Sequence, residues 1–164
     1  MLDDRDRAIL VKGHGFHFMF WLALMVALVV YLVICHINAD TRQVRELNEG
    51  AWFLRDVVTG FSLLALMLAW LFKRMMLAVK EPLTRLAALV STRSVERYRT
   101  AFMMTQATAH SIALFGLALF YSGYGTPTLY LFTCIAAVGQ IWFMPRPEEL
   151  RRYTRKQKQL VTGD

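Results

Sequence analysis

Five polar residues crowd one stretch of an otherwise apolar chain: Thr105, Gln106, Thr108, His110 and Ser111 fall within seven consecutive positions. Gln106 and His110 are four residues apart, so a helix would set them on one face, one turn from each other. A second amide, Gln140, lies with Thr133 in the next apolar run. Amides, hydroxyls and an imidazole among hydrocarbon side chains offer two chemistries. They can hydrogen-bond between helices, at about 0.5–2 kcal/mol each, or they can line a site for a ligand or ion. A proton pump or carboxylate antiporter would need an embedded acid, and the nearest one, Asp56, stands at the outer edge of its run. The sequence contains no nucleophile–base arrangement, Gly-rich phosphate loop or zinc-ligand spacing, so it reads as non-enzymatic and without a metal site.

Histidine adds a second candidate. His14, His17, His36 and His110 are enough in number for two bis-histidine haem sites. Axial ligands must face each other at one depth, however, and these four are spread along the bilayer normal. His14 and His17 open the first apolar run, His36 ends it, and His110 is near the middle of the third. No intrachain pair suits haem b, although a pair shared by two subunits would. His14 and His17 could instead contact a quinone or a phospholipid headgroup at the interface. A solvated pair of histidines without a ligand is the simpler reading.

The elements that must position these groups are four apolar runs, over 13–37, 52–72, 101–121 and 126–144. A helix rises about 1.5 Å per residue, so roughly 20 apolar residues cross a hydrocarbon core about 30 Å thick. The runs lack the alternation of a barrel strand, which leaves helices. The expected fold is therefore an all-α integral membrane protein, a single domain of four transmembrane helices arranged as two hairpins. The sequence is 56% hydrophobic, more apolar surface than one small soluble core can hide. Gln106 is about five residues from the start of run three and Gln140 about four from the end of run four. At about 1.5 Å per residue the two amides lie at nearly equal depth and should bond to each other, within one chain or across a protomer boundary.

Between runs three and four, Ser122-Gly123-Tyr124-Gly125-Thr126-Pro127 reads as a tight turn closing a hairpin. Ala107 with Ser111, and Ala109 with Ala113, form small-xxx-small faces that allow close helix approach. Pro82 suits a first helical turn, and Leu83, Leu86, Ala87 and Val90 follow at helical spacing. That pattern predicts a separate amphipathic helix over 82–95, lying on the cytoplasmic face. Val44, Leu47, Ala51 and Leu54 are spaced to extend run two outward as a helix. Trp52, Trp70 and Trp142 mark the ends of runs and should anchor at the headgroup level. Trp21 is deeper and should pack against a neighbouring helix. Cys35 and Cys134 have no partner spacing and read as buried free thiols.

Charge sets the orientation. The connection between runs two and three carries Lys73, Arg74, Lys80, Arg85, Arg93, Arg97 and Arg99 against Glu81 and Glu96. The tail, 145–164, is also basic. Lysine and arginine are retained in the cytoplasm, so both termini should be cytoplasmic, with the protein in the inner (plasma) membrane. The net charge of +7 then means attraction to anionic lipid headgroups, not nucleic acid. The first run is longer than a signal-peptide core, and Ile37-Asn38-Ala39 is a poor cleavage site; run one should remain as a span.

The stretch Gln106-Ala107-Thr108-Ala109-His110-Ser111-Ile112-Ala113-Leu114-Phe115-Gly116-Leu117 resembles the outer helix of the proteolipid (c) subunit of rotary ATP synthases. The likeness extends loosely to a following helix ending in Phe143-Met144-Pro145-Arg146 and covers at most about a third of the chain. Where that family carries its ion-binding acid this chain has His110, and the glycine ladder of the ring's inner helices is missing. The resemblance implies a c-like hairpin without ion translocation that keeps an oligomerising role.

Three functions are consistent with these residues. The first is a non-catalytic membrane subunit that assembles into a homo- or hetero-oligomer. The second is a quinone- or haem-binding anchor of an electron-transfer complex. The third is a small channel or transporter, with Gln106, His110 and Gln140 along its path.

Overall fold

The computed structural model describes residues 4–39, 49–78 and 87–162, and side chains over 13–38, 52–78, 96–156 and at 159. Every element among them is helical: α1 Asp4–Ala39, α2 Glu49–Ala78, α3 Ala87–Leu119, α4 Gly125–Trp142 and α5 Pro147–Thr162. Three stretches are long and apolar enough to cross a membrane: Gly13–Asn38, Trp52–Ala78 and the 47-residue Glu96–Trp142. The last doubles back through a wide turn, Phe120–Tyr124, with Gly123 at φ 95° and Gly125 at φ 77°. Side chains disfavour that half of backbone space and glycine does not, so the two glycines place the reversal where the sequence expects it.

Contacts fix an up-down-up-down order. His17 packs on Tyr98 and Phe102 at one end of the bundle, Tyr31 meets His110 midway, and Cys35 clusters with Phe120 at the far end. Helix α1 therefore runs parallel to α3. Lys73 and Leu77 of α2 return to the level of Tyr98, and Leu66 packs with Ile112 and Ala136 in the central cluster. Helix α2 is thus antiparallel to α3. The α3–α4 hairpin is the centre of the fold; α1 and α2 pack on separate sides of it and barely touch each other.

Burial follows from that layout. Among the described side chains of α1 the buried ones are His17, Leu28 and Cys35, which share one narrow stripe at 100° per residue. Among those described in α2 they are Ser62 and Ala69, two turns apart. The remaining faces of both helices are exposed and apolar, among them Met19, Val29, Ile37, Phe53, Phe61 and Met75. Ala109, Ala113 and Ala136 are buried where α3 meets α4, and small side chains let the two backbones approach closely. Ala107, by contrast, is exposed.

Four expectations change. Among the described residues the first of the two expected hairpins is not a packed pair, because α1 and α2 each dock on α3–α4 and not on one another. The amphipathic helix over 82–95 is not a separate element: residues from Ala87 onward belong to α3, which is continuous to Leu119, while 82–86 lie outside the described residues. Nothing between Ala87 and Phe115 breaks a helix, since neither glycine nor proline occurs there. At 33 residues α3 is about 50 Å long. Cys35 is buried as expected, but Cys134 is exposed because its face of α4 points away from the hairpin seam. The tail is not merely a basic extension. It folds as α5 and docks through Leu150, Tyr153 and Thr154, spaced i, i+3 and i+4 on one face. The outward extension of run two is present from Glu49; residues 40–48, including Val44 and Leu47, lie outside the described residues.

Candidate functional site

The polar residues of α3 divide into two groups. Thr105, Thr108 and Ser111 donate to carbonyls of their own helix: Thr105 to Phe102 at 2.8 Å, Thr108 to Met104 at 2.9 Å and Ser111 to Thr108 at 2.8 Å. Such back-bonding satisfies a hydroxyl without joining two helices. Thr133 is buried, and its hydroxyl has no partner among the described residues. The interhelical bonds fall instead to Gln106, His110 and Gln140.

Gln106 and Gln140 lie at one level, as their positions predict, but their side-chain amides do not pair. Gln106 Nε2 donates to the backbone carbonyl of Phe143 at 3.0 Å and to that of Gln140 at 3.4 Å. The reason lies at the end of α4. The last carbonyls of a helix have no intrahelical donor. Gln140 O loses its usual partner because Met144 N turns to Ile141 O at 3.1 Å. Phe143 O would look four residues on to Pro147, which has no N–H. Both orphan carbonyls are buried against α3, and the Gln106 amide caps them.

Two residues of α1 complete the cluster. Trp21 Nε1 donates to Gln140 O at 3.0 Å, which makes this carbonyl a double acceptor. Tyr31 Oη is 3.1 Å from His110 Nε2, and Gln140 Nε2 is 3.3 Å from His110 Nδ1. The imidazole is thus held at both ring nitrogens, with Tyr31 on α1 and Gln140 on α4. Trp21 packs against a neighbour as the sequence suggests, but with a hydrogen bond that its position alone does not reveal. Tyr31 is new to the cluster; its four-residue offsets within α1 give no sign that it faces α3.

The interfacial histidines differ from their expected setting. His14 is half-buried. His17 is fully buried, not solvated, with Tyr98 and Phe102 edge-on to its ring at centroid distances of 5.4 and 5.1 Å. Neither ring nitrogen of His17 has a hydrogen-bond partner among the described residues. His17 sits at the level of Tyr98 and Phe102, and His110 is eight residues beyond Phe102, about 12 Å along α3. The two cannot share an iron within one chain.

At the same end of the bundle α5 is tied down by charge. Lys73 Nζ meets Glu149 Oε2 at 2.9 Å, and Tyr98 Oη donates to that oxygen at 3.2 Å. One carboxylate thus joins α2, α3 and α5. The sequence carried a cue for this helix: Pro147 at a first helical position, followed by Glu148 and Glu149, which favour a helix N-terminus. No protein family, curated protein or solved structure matches the chain.

Proposed function

We propose that this chain is a four-span integral membrane protein, with α1 to α4 as the spans and both termini cytoplasmic, acting as a non-catalytic subunit of a larger membrane assembly. The observation that carries this reading is the commitment of the polar cluster's donors, although the side-chain oxygens of Gln106 and Gln140 have no partner among the described residues. The donors of Trp21, Gln106 and Gln140 and both ring nitrogens of His110 are used to join α1, α3 and α4. A site built to bind or transport would keep such groups open to a cavity. The exposed apolar faces of α1 and α2 supply surface for lipid and for partner helices. Basic groups at the end that holds Lys73, Arg74 and α5 support a cytoplasmic position for that end. The α3–α4 hairpin is the part that resembles the proteolipid subunit, and His110, at the ion-carrying position of that resemblance, is held by Tyr31 and Gln140. This supports a c-like architecture used for assembly without ion carriage.

The test is a native mass spectrum of detergent-purified protein with an absorption spectrum of the same sample. A colourless, discrete homo- or hetero-oligomer is expected. A monomer carrying haem or quinone would overturn the reading in favour of an electron-transfer anchor.

A further inference from the structure

A groove of about 1000 Å³ opens between α2, the C-terminal end of α4 and α5. Its mouth is lined by Lys73, Arg74, Arg146 and Arg152, with Glu148 and Glu149. Lys73 and Glu149 neutralise each other at 2.9 Å, which leaves three arginines against one acid. All three arginines are exposed at the rim. Below them the lining turns apolar, through Trp70, Val138 and Trp142. An adjoining groove of about 320 Å³ continues past Trp70 to Leu66 and Met67 on α2 and to Gly139 on α4. The groove is narrow at Gly139, where Leu66 packs so closely that an added Cβ would meet its Cδ2 at 2.8 Å.

We propose that this groove binds a phospholipid with an anionic headgroup, its phosphate among Arg74, Arg146 and Arg152 and the start of an acyl chain along Trp70, Val138 and Leu66. The inference rests on the membrane reading above and makes it specific to one site. Charge complementarity selects the occupant: guanidinium groups pair phosphate oxygens in two-point contacts, and three of them exceed what a zwitterionic headgroup can match. The apolar floor directly beneath gives a free phosphate nothing to bury, whereas a lipid fills both halves. Trp70 and Trp142 are exposed at the boundary between the halves, the depth at which indole rings meet headgroups. Arg74 stacks on Trp70 at 5.5 Å, which holds one of the cations over that boundary.

The test compares three full-length proteins in detergent: wild type, the groove variant Arg74→Gln/Arg146→Gln/Arg152→Gln, and the control Arg151→Gln/Arg155→Gln/Lys156→Gln. The control removes the same charge from exposed positions of α5 that do not line the groove. Each is titrated with phosphatidylglycerol and with phosphatidylcholine of the same acyl chains, and bound lipid is counted by native mass spectrometry. Wild type and control are expected to retain phosphatidylglycerol on the order of tenfold over phosphatidylcholine, and the groove variant to lose that preference. Equal retention of the two lipids by wild type would overturn the proposal. So would equal loss in both variants, which would make the attraction diffuse surface charge. Detergent phase partitioning of the same samples separates the two claims. A chain left in the aqueous phase removes the membrane reading and the site together, whereas a detergent-phase chain without lipid preference removes only the site.

Discussion

Gln106→Leu is expected to destabilise the bundle by about 2 kcal/mol, the larger part of it through one backbone atom. Phe143 O is buried at the end of α4 and receives the Gln106 amide at 3.0 Å. Pro147 stands where the next helical donor would be. Leucine fills similar volume but leaves this carbonyl without a donor, and an unsatisfied buried polar group costs about 1–3 kcal/mol, a loss only partly offset by removing Gln106 Oε1, which has no partner among the described residues. Gln140 O is less affected, since Trp21 still donates to it at 3.0 Å. Gln140→Leu makes the contrast: it removes the side-chain contact to His110 at 3.3 Å and no cap, so about 0.6 kcal/mol is expected, the average for a membrane hydrogen bond. Unfolding both variants by titrating denaturing detergent into mild micelles measures the difference. Equal losses would mean that the amide of Gln106 does not act as the cap of α4.

The second large effect is expected at Gly116, where α3 crosses α4. A Cβ added there would overlap the Cβ of Phe132 and lie 3.3 Å from its Cγ. Phe132 is fully buried between Ile112, Ala113 and Ala136, and a Cβ cannot swing aside as a side-chain tip can. Gly116→Ala must therefore push the two helices apart. Overpacking of a filled seam costs about 1–3 kcal/mol, beyond the gain of up to about 1 kcal/mol from alanine's better helix propensity. Gly139→Ala is the internal comparison. Its new Cβ meets the end of the Leu66 side chain at 2.8 Å, which can rotate away, and stands 3.3 Å from Ala109 Cβ, which must give by only a few tenths of an ångström, so the propensity gain should offset much of the strain. The same detergent titration should rank Gly116→Ala well below Gly139→Ala; the reverse order would show that the seam is not where α3 and α4 are most tightly joined.

Much of this arrangement was legible in the residues, and the parts that were not share a physical cause. Run length and hydropathy define α1 to α4, and Gly123 and Gly125 mark the reversal because positive φ selects glycine. Counting residues from the ends of runs three and four put Gln106 and Gln140 at one depth. Their partners were not readable, because the acceptors are backbone carbonyls freed by the way α4 ends. Helix α1 is apolar on nearly every side, so no periodicity shows which face looks inward; Trp21 and Tyr31 become visible only once α3 and α4 are in place. The charges of Arg93, Arg97 and Arg99 suggested a break before run three, yet a helix can leave the apolar region without ending. The docking of α5 was obscured by its many basic residues, which are the exposed side of an amphipathic helix.

The central claim is the four-span bundle, and side-specific labelling tests it most directly. In a cysteine-free background, Cys35→Ala/Cys134→Ala, single cysteines are placed at Ser122, in the α3–α4 turn, and at Arg151, on the exposed face of α5. An impermeant thiol reagent is applied to intact cells and again after permeabilisation. The account predicts that Ser122→Cys is labelled in intact cells and Arg151→Cys only after permeabilisation. Labelling of both positions from the same side would contradict a single span, α4, between them, and with it the fold proposed for the membrane.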